Sequence, residues 1–176
     1  GVLGVQKKLS PDQSWFSPNT QNQDQLRQNS VLDHIKKMQE VIKKNELEEK
    51  VNITQGDGEI FIELKDSMLF DSGSAILKPN YFKLLSVISK MLFKDAKEIR
   101  VEGHTDDIPI RTRKYPSNWE LSVDRALSVV KYFVKKEGVS PDRLVVAGLG
   151  EFRPIVPNNS PKNRAKNRRV IINVKF

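Results

Sequence analysis

Apolar residues recur at helical spacing in three stretches of this chain, alternate with polar residues in three others, and run together in a fourth, residues 144–149. The first helical stripe is Val31, Ile35, Met38, Val41 or Ile42, and Leu47, with Lys36, Lys37, Lys43 and Lys44 off it. Ser30, with Asp33 three positions on, reads as its capping box. The second stripe is Phe82, Leu85, Ile88, Met91 and Leu92, with Leu84 and Val87 beside it, and it follows Pro79, which suits a first helical turn. The third is Val123, Ala126, Leu127, Val130, Phe133 and Val134; Ser117 or Asn118 can cap it, and Gly138 closes it. That register leaves Arg125 off the core stripe, near the helix start. Strands are predicted over Ile60, Ile62 and Leu64 after the turn signal at residues 55–58, over 98–103, over 143–149, and over 169–175 with Val170, Ile172 and Val174 on one face.

The order strand, helix, strand, helix, strand, loop, strand predicts an α/β (α+β) two-layer sandwich. Its four-stranded mixed sheet carries helices on one face, and the crossovers favour some parallel pairing. An amphipathic helix precedes it, and its stripe must be buried on the domain or on a second copy of the chain; the pattern leaves both open. Residues 1–29 are rich in Gln, Asn, Ser and Pro, with Leu9, Trp15 and Phe16 scattered, and read as a flexible tail. The expected division is therefore tail 1–29, linker helix 30–55 and folded domain 56–176.

Composition narrows the function classes. A chain of 176 residues with 38% hydrophobic content suits one domain plus an extension. No stretch approaches the roughly 18 to 20 consecutive apolar residues of a membrane span. The opening Gly1–Val5 lacks the charged flank of a signal peptide and begins without Met, so the sequence reads as a piece of something longer. There is no Cys, which excludes disulfides and thiolate chemistry and removes the commonest structural zinc ligand. A net charge of +8 and a pI near 9.6 point to an anionic environment: nucleic acid, a membrane surface or a cell-wall polymer.

The stretch from His104 to Ala126 holds the candidate chemistry. A carboxylate, Asp106, leaves the end of a strand, and a guanidinium, Arg125, sits near the start of a helix. An acceptor and a donor fork placed this way can converge on one small polar group. The bland alternative is a salt bridge between the two that pins loop to helix. A metal or hydrolase cluster of His104, Asp106 and Asp107 lacks a further ligand to complete it. Arg164, Lys166, Arg168 and Arg169 could form a nucleic-acid patch, but few aromatics accompany them and no groove-reading helix stands out, so no nucleic-acid partner is expected.

The segments Phe70-Asp71-Ser72-Gly73-Ser74-Ala75 with Leu77 and Pro79, Gly103-His104-Thr105-Asp106, Asn118 with Leu121-Ser122 and Arg125-Ala126, Gly148-Leu149-Gly150-Glu151 with Pro154, and Asn167-Arg168-Arg169-Val170 resemble, in that order, the OmpA-like peptidoglycan-binding domain. The resemblance covers about residue 56 to the C-terminus. The loop from Ile108 to Leu121 and the ending Arg164–Arg169 resemble the MotB group, the stator subunits of the bacterial flagellar motor. What this implies is a noncatalytic, cofactor-free domain that grips the diaminopimelate of the peptidoglycan stem through Asp106 and Arg125. Thr105, Asn118, Leu121, Phe70, Asp71 and Gly73 would be pocket walls, with Arg168 and His104 in support. It further implies a periplasmic homodimer, tethered to the inner membrane by an N-terminal helix outside this sequence and joined to a membrane-embedded stator partner. Gly1–Phe16 would then be the remnant of a channel plug. The alternative within the family is a wall anchor unconnected with the motor.

Overall fold

The computed structural model describes residues 18–176. One sheet of five strands forms the frame, in the order β1-β2-β5-β3-β4. Strands β1 (Val51–Gln55) and β2 (Glu59–Lys65) form an antiparallel hairpin across Gly56–Gly58. Strand β5 (Arg169–Lys175) lies antiparallel between β2 and β3 (Glu98–His104), and β4 (Leu144–Gly148) runs parallel to β3 at the edge. The sheet has one strand more than the four predicted. β1 was missed because its five residues, VNITQ, bury only Val51 fully, so the alternation that marks a strand is nearly silent there.

The inward rows are those the pattern indicated. Ile60, Ile62, Leu64, Ile99, Val101, Val170, Ile172 and Val174 are all fully buried, and Ile62, Ile172 and Val101 stand side by side across the sheet. Helices α3 (Phe82–Leu92) and α4 (Asn118–Glu137) cover that face, with Leu85, Ile88, Leu92, Ala126, Val129 and Phe133 inserted. A row of this kind removes apolar surface from water at about 25 cal/mol per Å², which is why the period-two strands and 3.6-period helices pack this way round. The opposite face carries paired polar groups, such as Asn173 donating to Glu59 at 2.6 Å.

The N-terminal helix differs from expectation at its start. Helix α1 spans Pro18–Lys44, so Ser30 lies within it and is not its cap. Pro18 holds the first position, where a missing N–H costs nothing, and the Gln- and Asn-rich run that follows contains no breaker. Residues 18–29, read above as tail, are therefore helical, while Trp15, Phe16 and the segment read as a plug remnant lie outside the described residues. The stripe itself is as predicted: Val31, Met38 and Ile42 are buried in the main core, with Ile35 and Leu47 packed against it. Of the two alternatives left open, this chain buries the stripe on its own domain. Among the described residues no helix is long and apolar enough to cross a membrane.

One contact sets where the start of α4 lies on the sheet. Gly103 and Gly148 stand side by side on β3 and β4. A Cβ on Gly103 would lie 2.1 Å from the Ser122 carbonyl oxygen, and one on Gly148 would lie 2.3 Å from Val123 Cγ2. The glycine pair lets α4 settle onto the sheet at its second turn, closer than any side chain would allow.

Candidate functional site

A cavity of about 470 Å³ opens where β3 ends. Its walls come from the single-turn helix α2 (Asp66–Leu69), the loop after it, the segment Thr105–Ile110, the first turns of α4, and Arg168 ahead of β5. Each side chain is there for a local reason. Asn118, Leu121 and Arg125 are three and four positions apart and so share one face of α4. Ser117 caps that helix by accepting from the Trp119 N–H at 3.2 Å. Asn118 ties the loop down: its amide donates to the carbonyls of Asp106 (3.3 Å) and Ile108 (3.1 Å) and accepts from the Ile110 N–H (3.3 Å). A small second core of Ala75, Tyr115 and Leu121, with Ile110 against it, fills the loop from behind.

The charges form an alternating array. Arg125, 4% exposed, donates from Nη1 to Asp66 Oδ2 at 2.5 Å, from Nε to the Ser74 carbonyl at 2.9 Å and from Nη2 to the Asp71 carbonyl at 3.3 Å. Its guanidinium also lies 5.2 Å from the Phe70 ring centroid, a cation–π contact. Arg168 donates from Nη1 to Asp106 Oδ2 at 2.5 Å, and its Nε lies 3.8 Å from Asp66 Oδ1. The other Asp106 oxygen accepts from the Ile108 N–H at 3.0 Å. Two carboxylates and two guanidiniums thus alternate as Arg125, Asp66, Arg168, Asp106. Burial pushes the Asp66 carboxyl up from its ordinary value, while Arg125 and Arg168 pull it back. Burial likewise lowers Arg125 and Asp66 opposes it; an arginine nonetheless remains charged.

The array is not saturated. A guanidinium has five N–H donors and Arg125 uses three, which leaves one on each Nη. A carboxylate has about four lone-pair sites, and the protein contacts of Asp106 occupy one on each oxygen. Arg125 thus keeps N–H donors and Asp106 keeps lone pairs beyond their protein contacts, the four charges of the array balance, and the remaining carboxylate of the lining, Asp71, is paired with Lys78 at 2.9 Å.

Of the residues picked from sequence, Asp106, Arg125, Thr105, Asn118, Leu121, Phe70, Asp71, Gly73 and Arg168 all line the cavity. Asp106 and Arg125 do not bond each other, as the salt-bridge alternative supposed; each has its own partner. Arg125 lies off the sheet-facing stripe, as expected, but is buried in the cavity wall against the Asp66 carboxylate; of the predicted stripe Ala126, Val130 and Phe133 are buried in the core, while Val123 is 41% exposed. His104 is not in the wall. It lies at the end of β3 with Nε2 3.3 Å from Glu102 Oε2, and this bond, followed by that from Arg100, holds the Glu102 carboxyl down at about 2. Asp107 turns outward to Arg164 at 2.8 Å. The residue that sequence reasoning missed is Asp66. Its signal was parity: it continues the inward row Ile60, Ile62, Leu64, where a carboxylate is out of place unless it is paired.

A family model described as the OmpA family matches residues 69–168. The uncharacterized protein YtxE of Bacillus subtilis is 36% identical over 99% of this chain and 74% of its own length. The structure of a MotB-like protein from Desulfovibrio vulgaris superposes with a TM-score of 0.76 at 29% identity, covering 86% of this chain and 96% of that one. The cell wall anchor of the type VI secretion system from Pseudomonas aeruginosa gives 0.70 at 31% identity, covering 76% and 93%. The chain spans 54% and 48% of the motility protein B sequences of Bacillus subtilis and Helicobacter pylori that it also matches. On the ordered motifs, the sheet and these relatives together, the chain belongs to the OmpA family, and within it to the MotB-like proteins.

Proposed function

We propose that the cavity grips the diaminopimelate side chain of the peptidoglycan stem, and that this noncatalytic contact anchors a flagellar motor stator to the wall. The observation that carries the reading is the unsaturated, charge-balanced array. Diaminopimelate ends in one carbon bearing an ammonium and a carboxylate. The ammonium complements the free lone pairs of Asp106 and the carboxylate complements the paired free N–H groups of Arg125. Such a zwitterion adds no net charge to a buried site, whereas a simple anion or cation would leave one charge uncompensated. Lysine at position 125 would offer a point charge in place of the fork. A wall-binding role is in keeping with the P. aeruginosa relative described as a cell wall anchor, and a motor role with the MotB-like relatives.

Each charge-assisted hydrogen bond contributes about 1.5 to 3 kcal/mol. A few of them, after association costs, give roughly micromolar affinity or weaker. Two domains on one dimer would raise retention by about 10² to 10⁴ through effective concentration. On this reading the domain works as a periplasmic homodimer whose full-length chain continues into the inner membrane beside a stator partner. The test is a pull-down on purified sacculi. Wild type should be retained and released by free diaminopimelate, and Asp106→Asn should be lost to the supernatant while its circular dichroism is unchanged. Retention of Asp106→Asn at the wild-type level would sink the proposal.

A further inference from the structure

On the other flank of α4 lies a feature that the cavity does not use. Residues follow one another by about 100° around a helix, so Asn118, Leu121 and Arg125 face the cavity, Ser122 and Ala126 face the sheet, and Trp119 and Val123 face the far side. Trp119 is 54% exposed and Phe152 is 52% exposed. Their rings sit 4.7 Å apart at 39°. Gly150 lies beneath both: a Cβ there would be 3.5 Å from the Phe152 ring and 3.6 Å from that of Trp119, and its φ of 53° is one that glycine adopts freely. Beside Trp119 runs a shallow groove bounded by Glu120, Val123, Asp124 and Leu127. Two half-exposed aromatic rings with two carboxylates beside Trp119 do not arise from core packing, which would have buried the rings.

We propose that Trp119 and Phe152 form a stacking platform for the N-acetylated sugars of the glycan strand whose stem peptide enters the cavity. The inference rests on the stem-binding reading and deepens it. A pyranose ring presents C–H groups on one face and hydroxyls around its rim. The negative face of an aromatic ring attracts such C–H groups, and carboxylates accept from the hydroxyls. Glu120 accepts the Ser117 hydroxyl, and Asp124 accepts that of Tyr115 with Lys114 Nζ 3.3 Å from the same oxygen; both carboxylates keep further lone pairs. The platform is held to the cavity wall: the Gly150 carbonyl accepts from the N–H of Thr105 at 2.9 Å, and the Gly150 N–H donates to Ser122 at 3.1 Å.

The test titrates two probes by calorimetry: the diaminopimelate tripeptide, and the same tripeptide on its disaccharide of N-acetylglucosamine and N-acetylmuramic acid. Wild type should bind the disaccharide form roughly three- to tenfold more tightly. Trp119→Ala and Phe152→Ala should bring that ratio to one while tripeptide affinity holds. A wild-type ratio of one, or a ratio that both variants leave unchanged, overturns the platform. So does a change of dimer to monomer by light scattering in either variant, which would assign the rings to a subunit interface. Failure of the tripeptide itself to bind would instead overturn the stem-binding reading. In that case N-acetylglucosamine tetramer decides the platform alone: binding that Trp119→Ala abolishes supports it, and absence of binding removes it.

Discussion

The two flanks of helix α4 solve opposite problems with the same few turns. On one side, Arg125 is sealed to 4% exposure and fixed by three protein acceptors. On the other, Trp119 stands half exposed against a single aromatic neighbour. The first flank is preorganised, because a buried guanidinium tolerates no loose geometry. The second can adapt, because stacking on a ring face has little directional demand. On the proposed stem and glycan binding, specificity resides in the charged flank, where a wrong group leaves a buried charge unmatched, and the aromatic flank adds affinity without choosing the ligand.

The largest effect should come from breaking the charged flank. Arg125→Ala leaves Asp66 buried without its main partner and should cost about 3 to 5 kcal/mol of stability by urea unfolding. Replacing Asp66 and Arg125 together by Asn and Met should recover much of that while sacculus binding stays lost. A double variant as unstable as Arg125→Ala would show that the pair is not the source of the cost. Next, Gly103→Ala should cost about 1 to 3 kcal/mol, because its Cβ meets the backbone of α4 rather than a movable side chain. Since one displaced helix carries both flanks, tripeptide affinity and the disaccharide advantage should fall together in calorimetry; loss of one alone would separate the flanks.

A subtler contrast lies on the outer face of the sheet. The Glu102 carboxyl stands at about 2, below its ordinary 4.5, first through the His104 bond and then through Arg100. A depressed carboxylate contributes stability above its unfolded value and loses it as pH falls through the folded one. Glu102→Gln should therefore flatten the acid-side loss of stability between about pH 4.5 and pH 2, as read by thermal melts, and leave tripeptide binding at pH 7 untouched. An altered affinity at pH 7 would draw His104 into the site after all.

How much of this was legible depends on what each residue answers to. The strands at Ile60–Leu64 and Val170–Val174 and the stripe at Val31–Ile42 follow from burial alone, so periodicity exposes them. Asp106 was visible as a charge at a strand end. What escaped were features set by a distant partner. Arg125 is buried in the cavity wall only because Asp66, 59 positions earlier, meets it there. Arg168 was expected as a support of the site through the resemblance alone; its reach to Asp106 spans 62 positions, and no local pattern records that. Strand β1 escaped because the edge of a sheet asks little of its side chains. Ser30 failed as a cap because helix α1 already runs through it from Pro18.

Calorimetric titration of the diaminopimelate tripeptide into wild type and Asp106→Asn at pH 7 tests stem binding by the cavity most directly. Wild type should bind with roughly micromolar or weaker affinity and the variant at least about tenfold more weakly, the equivalent of about 1.5 kcal/mol for one charge-assisted hydrogen bond. Equal binding by the two proteins, or no heat from wild type, would contradict stem binding.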